Sequence, residues 1–562
     1  MKLRLTVFIF LLLLACQITT PVPPPTATPI STATPTTTPT STPTPAPTPT
    51  LILPTLVPTL DLAPGDFDVR LHPDGGLFPG DQISFEVIAP PEAQLDQQEV
   101  QIATEDGIIL GTAGFGGFGI GDRQQATLQW VWDTTGLPEG AHTLSFSVVP
   151  DGFTFTETIT LLPESLRPYP EPNAVWALGE SDCCLFYYVT GTAAERDLAM
   201  LMDTADAEAV STIAQLGGEF TEPITIVFLP RVLGHGGFAG GEVYISYLDR
   251  NYAGNSPAQV IHHEMVHILD GRKGGDFRPS IFGEGLAVFL SGGHFKQEDV
   301  VARVAATLGL DYYIPLSGLS DDFYNAQHEV SYAEGAALIQ FMTETWGWEA
   351  FETFYRSIQQ HPSNLPSAAI NQALQVHFSI TFDELETQFT AWLAAQPADP
   401  AAAEDIRLTV LFFETVRRYQ QALDPSAYFL TAWLLGIGEM TERGIVADYL
   451  RHPTAAENIA LETLLVNADK ALRAGDYPAA ERALAAVNAV LDGFAASNTS
   501  PFHADPLAGD HYAIVLALLE QGYDPQEIAV DGQTARVLAT LNSTELLEIG
   551  MVREAEGWTV AN

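Results

Sequence analysis

The stretch AQVIHHEMVHILDG, Ala258–Gly271, holds three histidines and one glutamate, and its pattern predicts a helix. On a helix His263 and His267 lie one turn apart on the same face, so both imidazoles can reach one metal ion. Glu264 lies beside the first of them, where its carboxylate can meet a water bound to that metal. His262 points about 100° away from His263 and is not expected to be a ligand. The spacing predicts a metal site with its own general base; the alternative is a polar stripe on a surface helix.

The residues that flank this stretch predict where its helix begins and ends. Ser256 suits the N-cap, Pro257 fits the first helical position, and Gln259 completes a capping-box pattern. Gly271 can close the other end, because glycine readily adopts the left-handed conformation found after a helix. We therefore expect a helix that spans little more than the quoted stretch.

A zinc ion with two histidine ligands needs a third protein ligand and, for catalysis, an open fourth position. No third histidine follows at H-x-x-G-x-x-H spacing, but the short apolar segment SIFGEGLAVFLSGG, Ser280–Gly293, supplies Glu284. A glutamate in so apolar a helix indicates a function; the alternative is that it caps the helix or faces solvent. We therefore predict a Zn²⁺ site formed by His263, His267 and Glu284.

The letters HEMVH at His263–His267, followed by GEGLA at Gly283–Ala287, resemble the gluzincin metallopeptidases. That group includes thermolysin and the zinc aminopeptidases, and the sequence is most similar to its peptidase MA-like branch. The resemblance covers residues 188–395 approximately. It implies a zincin-like fold, a zinc cofactor and peptide-bond hydrolysis with Glu264 as the general base. The G-x-M-E-N motif of the aminopeptidases is absent, which favours an endopeptidase.

The resemblance also implies roles for residues outside the metal ligands. GEVYISY, Gly241–Tyr247, stands where the family has the edge strand that holds the substrate. Tyr332 matches the tyrosine that hydrogen-bonds the oxyanion in zinc aminopeptidases, with Tyr324 and His328 as alternatives. The aspartate found in thermolysin four residues after the third ligand is Val288 here. The outer hydrogen-bond partner of a histidine ligand must therefore come from elsewhere.

Composition shifts along the chain predict a multidomain protein. Short alternating runs in residues 64–163 predict an immunoglobulin-like β-sandwich, which we interpret as a spacer, with ligand binding as the alternative. Residues 170–396 predict an α+β zincin-like peptidase domain, and residues 400–562 a mainly α region that ends in a small β meander. The predicted sandwich strands are Gln82–Pro90, Gln98–Asp106, Ala126–Thr135, His142–Pro150 and Thr154–Pro163.

The first residues indicate export from the cytoplasm. Lys2 and Arg4 precede an apolar run too short to span a bilayer, and the run ends in Leu-Leu-Ala-Cys, which resembles a bacterial lipobox. The resemblance implies that residues 1–16 are a lipoprotein signal peptide and that Cys16 carries a lipid; a plain signal peptide is the alternative. Residues 17–63 are rich in proline and threonine and predict an extended linker. We expect an extracytoplasmic protein, anchored to the bacterial cell membrane.

The charge of the chain bears on its partners. Its 562 residues include 24 basic and 70 acidic ones, a formal net charge of −46. Nucleic acid is therefore not an expected partner, because its phosphates require a basic face. The expected partners are a peptide or protein substrate and the membrane, which the protein contacts through the lipid on Cys16.

Two adjacent cysteines, Cys183 and Cys184, follow the predicted sandwich. A disulfide between neighbours closes a strained eight-membered ring, so we predict two buried thiols that pack as small hydrophobic groups, with a redox role as the alternative.

Two further hypotheses about function stay open. The chain could be a surface binding or adhesion protein whose zincin domain is vestigial, or zinc could have a purely structural role. Metal analysis together with a peptide-cleavage assay separates the first from an enzyme. A structural site would close all four zinc positions with protein ligands.

Overall fold

A computed structural model describes residues 64–561, except residues 91–92, 94, 96, 119–122, 151–152, 233–236, 240, 255, 428–434 and 556. The predicted signal peptide, the lipid on Cys16 and the linker 17–63 lie outside this range and stay predictions. Within the described range, the helices are too short or too polar to cross a membrane.

Two four-stranded antiparallel sheets share one hydrophobic core in the first part of the chain. Their strands are β1 Asp68–His72, β2 Gln82–Ile88, β3 Glu99–Thr104, β4 Ile109–Gly114, β5 Gly116–Phe118, β6 Arg123–Asp133, β7 Gly140–Val149 and β8 Phe153–Leu161. The strand orders are β1-β2-β6-β5 and β4-β3-β7-β8. The arrangement is a β-sandwich; its kinship with immunoglobulin modules stays a prediction.

The sequence predicted the longer strands of the sandwich and missed the weaker ones. The five predicted runs correspond to β2, β3, β6, β7 and β8, and Leu144, Phe146 and Val148 of β7 point together into the core. The missed strands are short or poor in apolar residues, and β1 has only five residues. β4 contains two glycines, and β5 has only three residues.

A five-stranded mixed sheet follows, with strand order β12-β13-β11-β10-β9. Its strands are β9 Trp176–Glu180, β10 Cys184–Val189, β11 Ile224–Leu229, β12 Gly237–Ala239 and β13 Val243–Ser246. β13 pairs with β11 on one side and with β12 on the other, and all four of its residues are buried. The prediction that Gly241–Tyr247 forms the substrate-binding edge was therefore wrong. The outer strand on that side is β12.

The turn between β9 and β10 corrects the prediction for the cysteines. Cys183 and Cys184 are joined in a disulfide, not present as two thiols. The carboxylate of Asp206 accepts hydrogen bonds from the backbone N–H of Cys183 at 2.9 Å and from the hydroxyl of Ser181 at 2.7 Å. These bonds fix the turn in which the two sulfur atoms meet.

Helices cover one face of this sheet and then form a core of their own. They are α1 Ala193–Arg196, α2 Leu198–Leu216, α3 Pro257–Arg272, α4 Ser280–Ser291, α5 Val300–Leu310, α6 Leu316–Asp321, α7 His328–Trp346, α8 Trp348–Ser357, α9 Pro366–His377 and α10 Phe382–Ala394. Ile261 and Met265 of α3 pack with α2 against the sheet. Val266 and Leu269 of the same helix pack with α4 to α10. α3 is therefore held between two hydrophobic cores.

The last part of the chain is helical and ends in a meander. Its elements are α11 Pro400–Leu423, α12 Ile437–Arg443, α13 Ala447–Leu450, α14 Ala456–Ala474, α15 Tyr477–Ala495, α16 Pro506–Leu519, β14 Asp524–Asp531, β15 Thr534–Thr540, β16 Leu547–Glu554 and β17 Gly557–Val560. The four strands pair in chain order. Gly532 and Asn542, which lie in the turns between these strands, have positive φ.

The sandwich is docked on the rest of the molecule. Trp130 of β6 packs with Val227, Tyr244 and Tyr449, and its indole N–H donates to Asp448 at 3.1 Å. Val227 and Tyr244 alternate along their strands with the residues that face α2 and α3. The contact of Trp130 therefore lies on the opposite face of the five-stranded sheet. This docking favours a fixed domain over a freely moving spacer.

Buried ion pairs fasten the same interface. Arg451, directly after α13, contacts Asp81 at 2.6 Å and also pairs with Glu171. Arg167 joins the same two carboxylates at 3.1 and 2.6 Å. Arg451, Asp81 and Glu171 are all buried. Loss of one partner would leave a buried charge without its counter-ion, which is strongly destabilising.

We predict that Arg451→Met lowers the free energy of unfolding by about 3–5 kcal/mol, because two buried carboxylates lose a counter-ion. The control is Arg418→Met, whose pair with Asp492 is exposed and is expected to matter by less than about 1 kcal/mol. Urea denaturation of both variants provides the measurement. Equal midpoints would contradict a stabilising role for the buried network.

Candidate metal centre

The start of α3 is fixed by a contact that differs from the predicted capping box. The side chain of Ser256 makes no capping hydrogen bond. The amide of Gln259 instead donates to the backbone carbonyls of Ser291 at 2.8 Å and Gly293 at 2.7 Å. Gly271 lies inside the helix, not after it. Ser256 at the N-cap and Pro257 at the first helical position are confirmed, whereas the predicted capping-box hydrogen bonds and the end of the helix at Gly271 were wrong. Gln259 ties the first turn of α3 to the end of α4.

Three side-chain atoms from α3 and α4 converge on one point. The Nε2 atoms of His263 and His267 are 3.0 Å apart, and they lie 3.2 and 3.1 Å from Oε2 of Glu284. Two ligands of a tetrahedral zinc ion, with bonds of about 2.0–2.1 Å, lie roughly 3.3 Å apart. The nearly equilateral triangle formed by these atoms therefore fits three ligands of one zinc ion.

The chemistry of the three atoms also fits a cation. Nε2 of each neutral imidazole and the carboxylate oxygen can all direct a lone pair toward the point where they meet, as the ligands of a cation do. Burial would raise the pKa of Glu284, but its contacts with both imidazoles hold that pKa well below its usual range. Burial would lower the pKa of His267, but its hydrogen bond to Glu284 raises it on balance. The carboxylate thus stays ionised, as a metal ligand must be.

Glu264, the predicted general base, lies in the same group. Its side chain is buried, and burial raises the pKa of its carboxyl group, while the two neighbouring histidines pull the pKa down. A carboxylate whose pKa is moved towards neutrality accepts a proton from water more readily. The structure thus places Glu264 beside the three ligand atoms in a water-poor environment. Its role as the base stays a prediction.

A close approach of two helices fixes the position of Glu284. A Cβ atom on Gly285 of α4 would lie 2.5 Å from the carbonyl carbon of Gly335 in α7, and one on Gly335 would lie 2.7 Å from the carbonyl oxygen of Ile281. The two backbones therefore touch at this point. Since Glu284 precedes Gly285, the glycine pair sets its distance from α7 and from Tyr332.

Tyr332 lies at the side of the centre, in a group of aromatic rings. Its ring centroid is 6.2 Å from that of His263 and 4.2 Å from those of His294 and His328. Burial raises the pKa of its hydroxyl, which therefore stays protonated. A protonated hydroxyl can donate to an oxyanion, so the predicted role is chemically possible and stays a prediction.

His294 was missed by the sequence analysis. It follows α4 in a loop, stacks on Tyr332 and lies 5.8 Å from His263 between ring centroids. No helical spacing links it to the HExxH motif, so periodicity could not identify it. Its position beside the centre comes from the turn after α4.

Tyr324 contacts a predicted ligand directly. Its hydroxyl donates to Oε1 of Glu284 at 2.8 Å. Reduced hydration of the hydroxyl in the cleft and the negative charge of Glu284 raise the pKa of Tyr324 to about 12. The hydroxyl therefore keeps its proton at neutral pH and remains a donor.

His262 does not take part in the centre. Its Nδ1 lies 2.6 Å from Glu208 and its Nε2 lies 2.9 Å from Gln215, both on α2. Both ring nitrogens are thus engaged, as the direction of this side chain on the helix suggested. The residue joins α3 to α2.

Val288 cannot accept a hydrogen bond from a histidine ligand, and no other residue takes that role for His263 among the described residues. Its Nδ1 atom is buried and has no hydrogen-bond partner among the described residues. The nearby carboxylate of Asp270 is occupied by Tyr355 at 2.9 Å and by Arg356 at 2.6 Å. Asp270 therefore anchors the end of α3 to α8 rather than orienting an imidazole.

A polar cleft opens next to the ligands. Its lining includes His267, Ser280, Glu284, Arg278 and Tyr324. Solvent and polar groups can thus approach the centre from the side of His267 and Glu284.

We predict that Gly285→Ala weakens zinc binding, since the added methyl group meets the backbone of Gly335 and α4 must move with Glu284. The expected loss of stability is about 1–3 kcal/mol, typical of overpacking. Zinc content and thermal unfolding provide the measurement. The control is Gly309→Ala in α5, where the methyl group enters open space and an increase in stability is expected. Full zinc content and normal stability in Gly285→Ala would contradict the argument.

Comparisons with known proteins do not assign this chain to a family. No family model and no curated protein matches the sequence. Among solved structures, a mutant M1 zinc metallopeptidase from Deinococcus radiodurans is 13% identical, with 59% of this chain and 94% of that chain covered and a TM-score of 0.26. An aminopeptidase N family protein from Idiomarina loihiensis is 11% identical, with 59% and 72% covered and a TM-score of 0.23. At these TM-scores the likeness carries no argument about fold or function.

Proposed function

We propose that the protein is a zinc metallopeptidase of the gluzincin type that hydrolyses peptide bonds. The observation that carries the proposal is the convergence of His263, His267 and Glu284 on one point, with the carboxylate of Glu264 beside it. Two imidazoles and one carboxylate, with a fourth position left open, are a typical donor set of catalytic zinc.

Each residue of the centre has a separate role in hydrolysis. A bound zinc ion would supply Lewis-acid activation of water and of the scissile carbonyl. Glu264 accepts the proton of the attacking water and transfers it to the leaving amine. The hydroxyl of Tyr332 donates a hydrogen bond to the oxyanion that forms.

The substrate fits the outer strand of the mixed sheet. β12 is antiparallel to β13, and among the described residues no strand pairs with its other edge, to which an extended peptide can add as a further strand. A Cβ atom on Gly237 would lie 2.5 Å from Val260 of α3. Glycine thus lets this edge lie directly against the helix that carries His263. The predicted preference for endopeptidase action agrees with a strand that holds the substrate backbone.

We expect Glu264→Gln and Glu284→Ala to separate the base from the ligand. Glu264→Gln keeps all three ligands, so zinc should stay near one per chain while kcat falls by about 10²–10⁴-fold. Glu284→Ala removes a ligand, so zinc should be lost or held far more weakly, and activity should be lost with it. The measurements are zinc content by mass spectrometry and cleavage of a peptide library. Glu349→Gln, at an exposed site on α8, is the control and should match the parent.

The outcomes distinguish the hypotheses. Normal cleavage by Glu264→Gln would remove it as the base, and full zinc content in Glu284→Ala would remove it as a ligand. A parent protein that binds zinc but cleaves no peptide would favour a surface binding protein with a vestigial zincin domain. A parent protein without zinc would leave only a polar stripe on α3.

The cellular location is a separate part of the proposal. We infer from the Leu-Leu-Ala-Cys pattern that a lipid on Cys16 anchors the protein outside the cytoplasm. Cys16→Ser should abolish labelling by a fatty-acid analogue and impair removal of the signal peptide. Cys183→Ser, which leaves Cys16 in place, should label normally. Unchanged labelling of Cys16→Ser would refute the lipid anchor.

A further inference from the structure

We propose that Tyr324 is a positioning residue of the metal centre: its hydroxyl holds one oxygen of Glu284 so that only the other oxygen faces the two imidazoles. This inference rests on the proposed metal centre and deepens it. The sequence suggested Tyr324 only as an alternative oxyanion donor.

The two oxygens of Glu284 have different partners. Oε1 accepts the hydroxyl of Tyr324 at 2.8 Å. Oε2 lies 3.2 Å from Nε2 of His263 and 3.1 Å from Nε2 of His267. The carboxylate is therefore divided between a hydrogen bond and the metal position, and it offers one ligand atom instead of two.

The turn that carries Tyr324 is fixed by its neighbours. Tyr324 lies in the 3-10 turn Phe323–Asn325, between α6 and α7. Phe323 is buried. Its ring packs edge-on against Tyr324, with centroids 5.5 Å apart, and at a tilt against Tyr332, with centroids 5.1 Å apart. Asn325 donates to Asp322 at 2.8 Å. The backbone is thus held from the core while Tyr324 reaches Glu284 from outside.

Packing alone does not account for the position of Tyr324. The residue is 66% exposed, so burial of its ring contributes little to its orientation. A hydrogen bond from a hydroxyl to an ionised carboxylate is stronger than one between neutral groups. The contact with Glu284, together with a hydrogen bond to Ser280 and the edge-on ring of Phe323, therefore holds the Tyr324 side chain in place.

Such a contact has consequences for the metal. Hydrogen-bond partners of metal ligands restrict the orientation of the ligand, and their loss commonly weakens metal binding. Without the hydroxyl, Glu284 could rotate and present both oxygens. A second ligand oxygen would compete for the position that catalytic zinc sites keep open for water. Tyr324 would thus affect both zinc affinity and coordination number.

The test is Tyr324→Phe in the full-length protein, which keeps the ring and removes the hydroxyl. Competition with a chelator of known affinity should show a zinc Kd raised about 10–100-fold. The visible spectrum of the cobalt-loaded variant should differ from that of the parent, because the coordination number changes. Thermal unfolding of the metal-free protein should be unchanged, which separates positioning from a general loss of structure.

Two other tyrosines provide matched controls. Tyr512→Phe removes a comparable hydroxyl–carboxylate contact, to Glu457 at 3.0 Å, and should leave zinc affinity and the cobalt spectrum unchanged. Tyr332→Phe should lower kcat roughly 100-fold, as expected for a lost oxyanion donor, with zinc affinity retained. The two site tyrosines are thus distinguished by which quantity each one changes.

The possible failures can be told apart. A parent protein that binds no zinc refutes the proposed metal centre itself. A parent that binds zinc, with the same affinity and cobalt spectrum in Tyr324→Phe, overturns the role of Tyr324 and leaves the proposed function intact. In a Glu284→Ala background, Tyr324→Phe should cause no further loss of zinc affinity. A further loss would show that Tyr324 acts through another group and would also overturn the inference.

Discussion

The contact between the backbones of α4 and α7 at Gly285 and Gly335 is the constraint on which the candidate centre depends. A helix that brings a ligand to a metal must be placed to about half an ångström. A side chain at this crossing would separate the helices by more than that. Because α3 is itself held between two cores, its histidines have a fixed position that Glu284 must match. The glycine pair lets α4 reach that position.

Two groups of buried charges reinforce this arrangement at a distance from the centre. Asp270, at the end of α3, is buried and contacts Tyr355 and Arg356 of α8. Arg451 joins the sandwich to the C-terminal part through Asp81. Such networks specify one geometry, since every buried charge needs its partner in place. The contacts of Asp270 fix the end of α3. The contacts of Arg451 hold the sandwich on the face of the mixed sheet opposite to α3.

Local sequence patterns predicted the elements that carry chemistry but not the contacts between distant segments. The spacing of His263 and His267 indicated one helical face, and the structure brings Glu284 to the same point. The edge strand β12 was not predicted, because its three residues lie in a glycine-rich run without alternation of polar and apolar side chains. Gln259 matched a capping box by spacing, yet its amide has better acceptors in the carbonyls after α4. The pair Arg451–Asp81 spans 370 positions, which no local pattern can reveal.

The predicted site residues differ in how firmly the fold holds them. His263, Glu264 and His267 lie on one helix between two cores, and Glu284 and Tyr332 lie on helices that touch at a glycine pair. Tyr324 comes from a three-residue turn in which only Phe323 is buried. Short exposed turns have fewer buried contacts than helices and open at lower free energy. The orientation of the Glu284 carboxylate is therefore determined jointly by a rigid backbone and by a hydrogen bond from a softer element. If Tyr324 positions Glu284, the geometry of the metal centre responds most readily to changes in that turn.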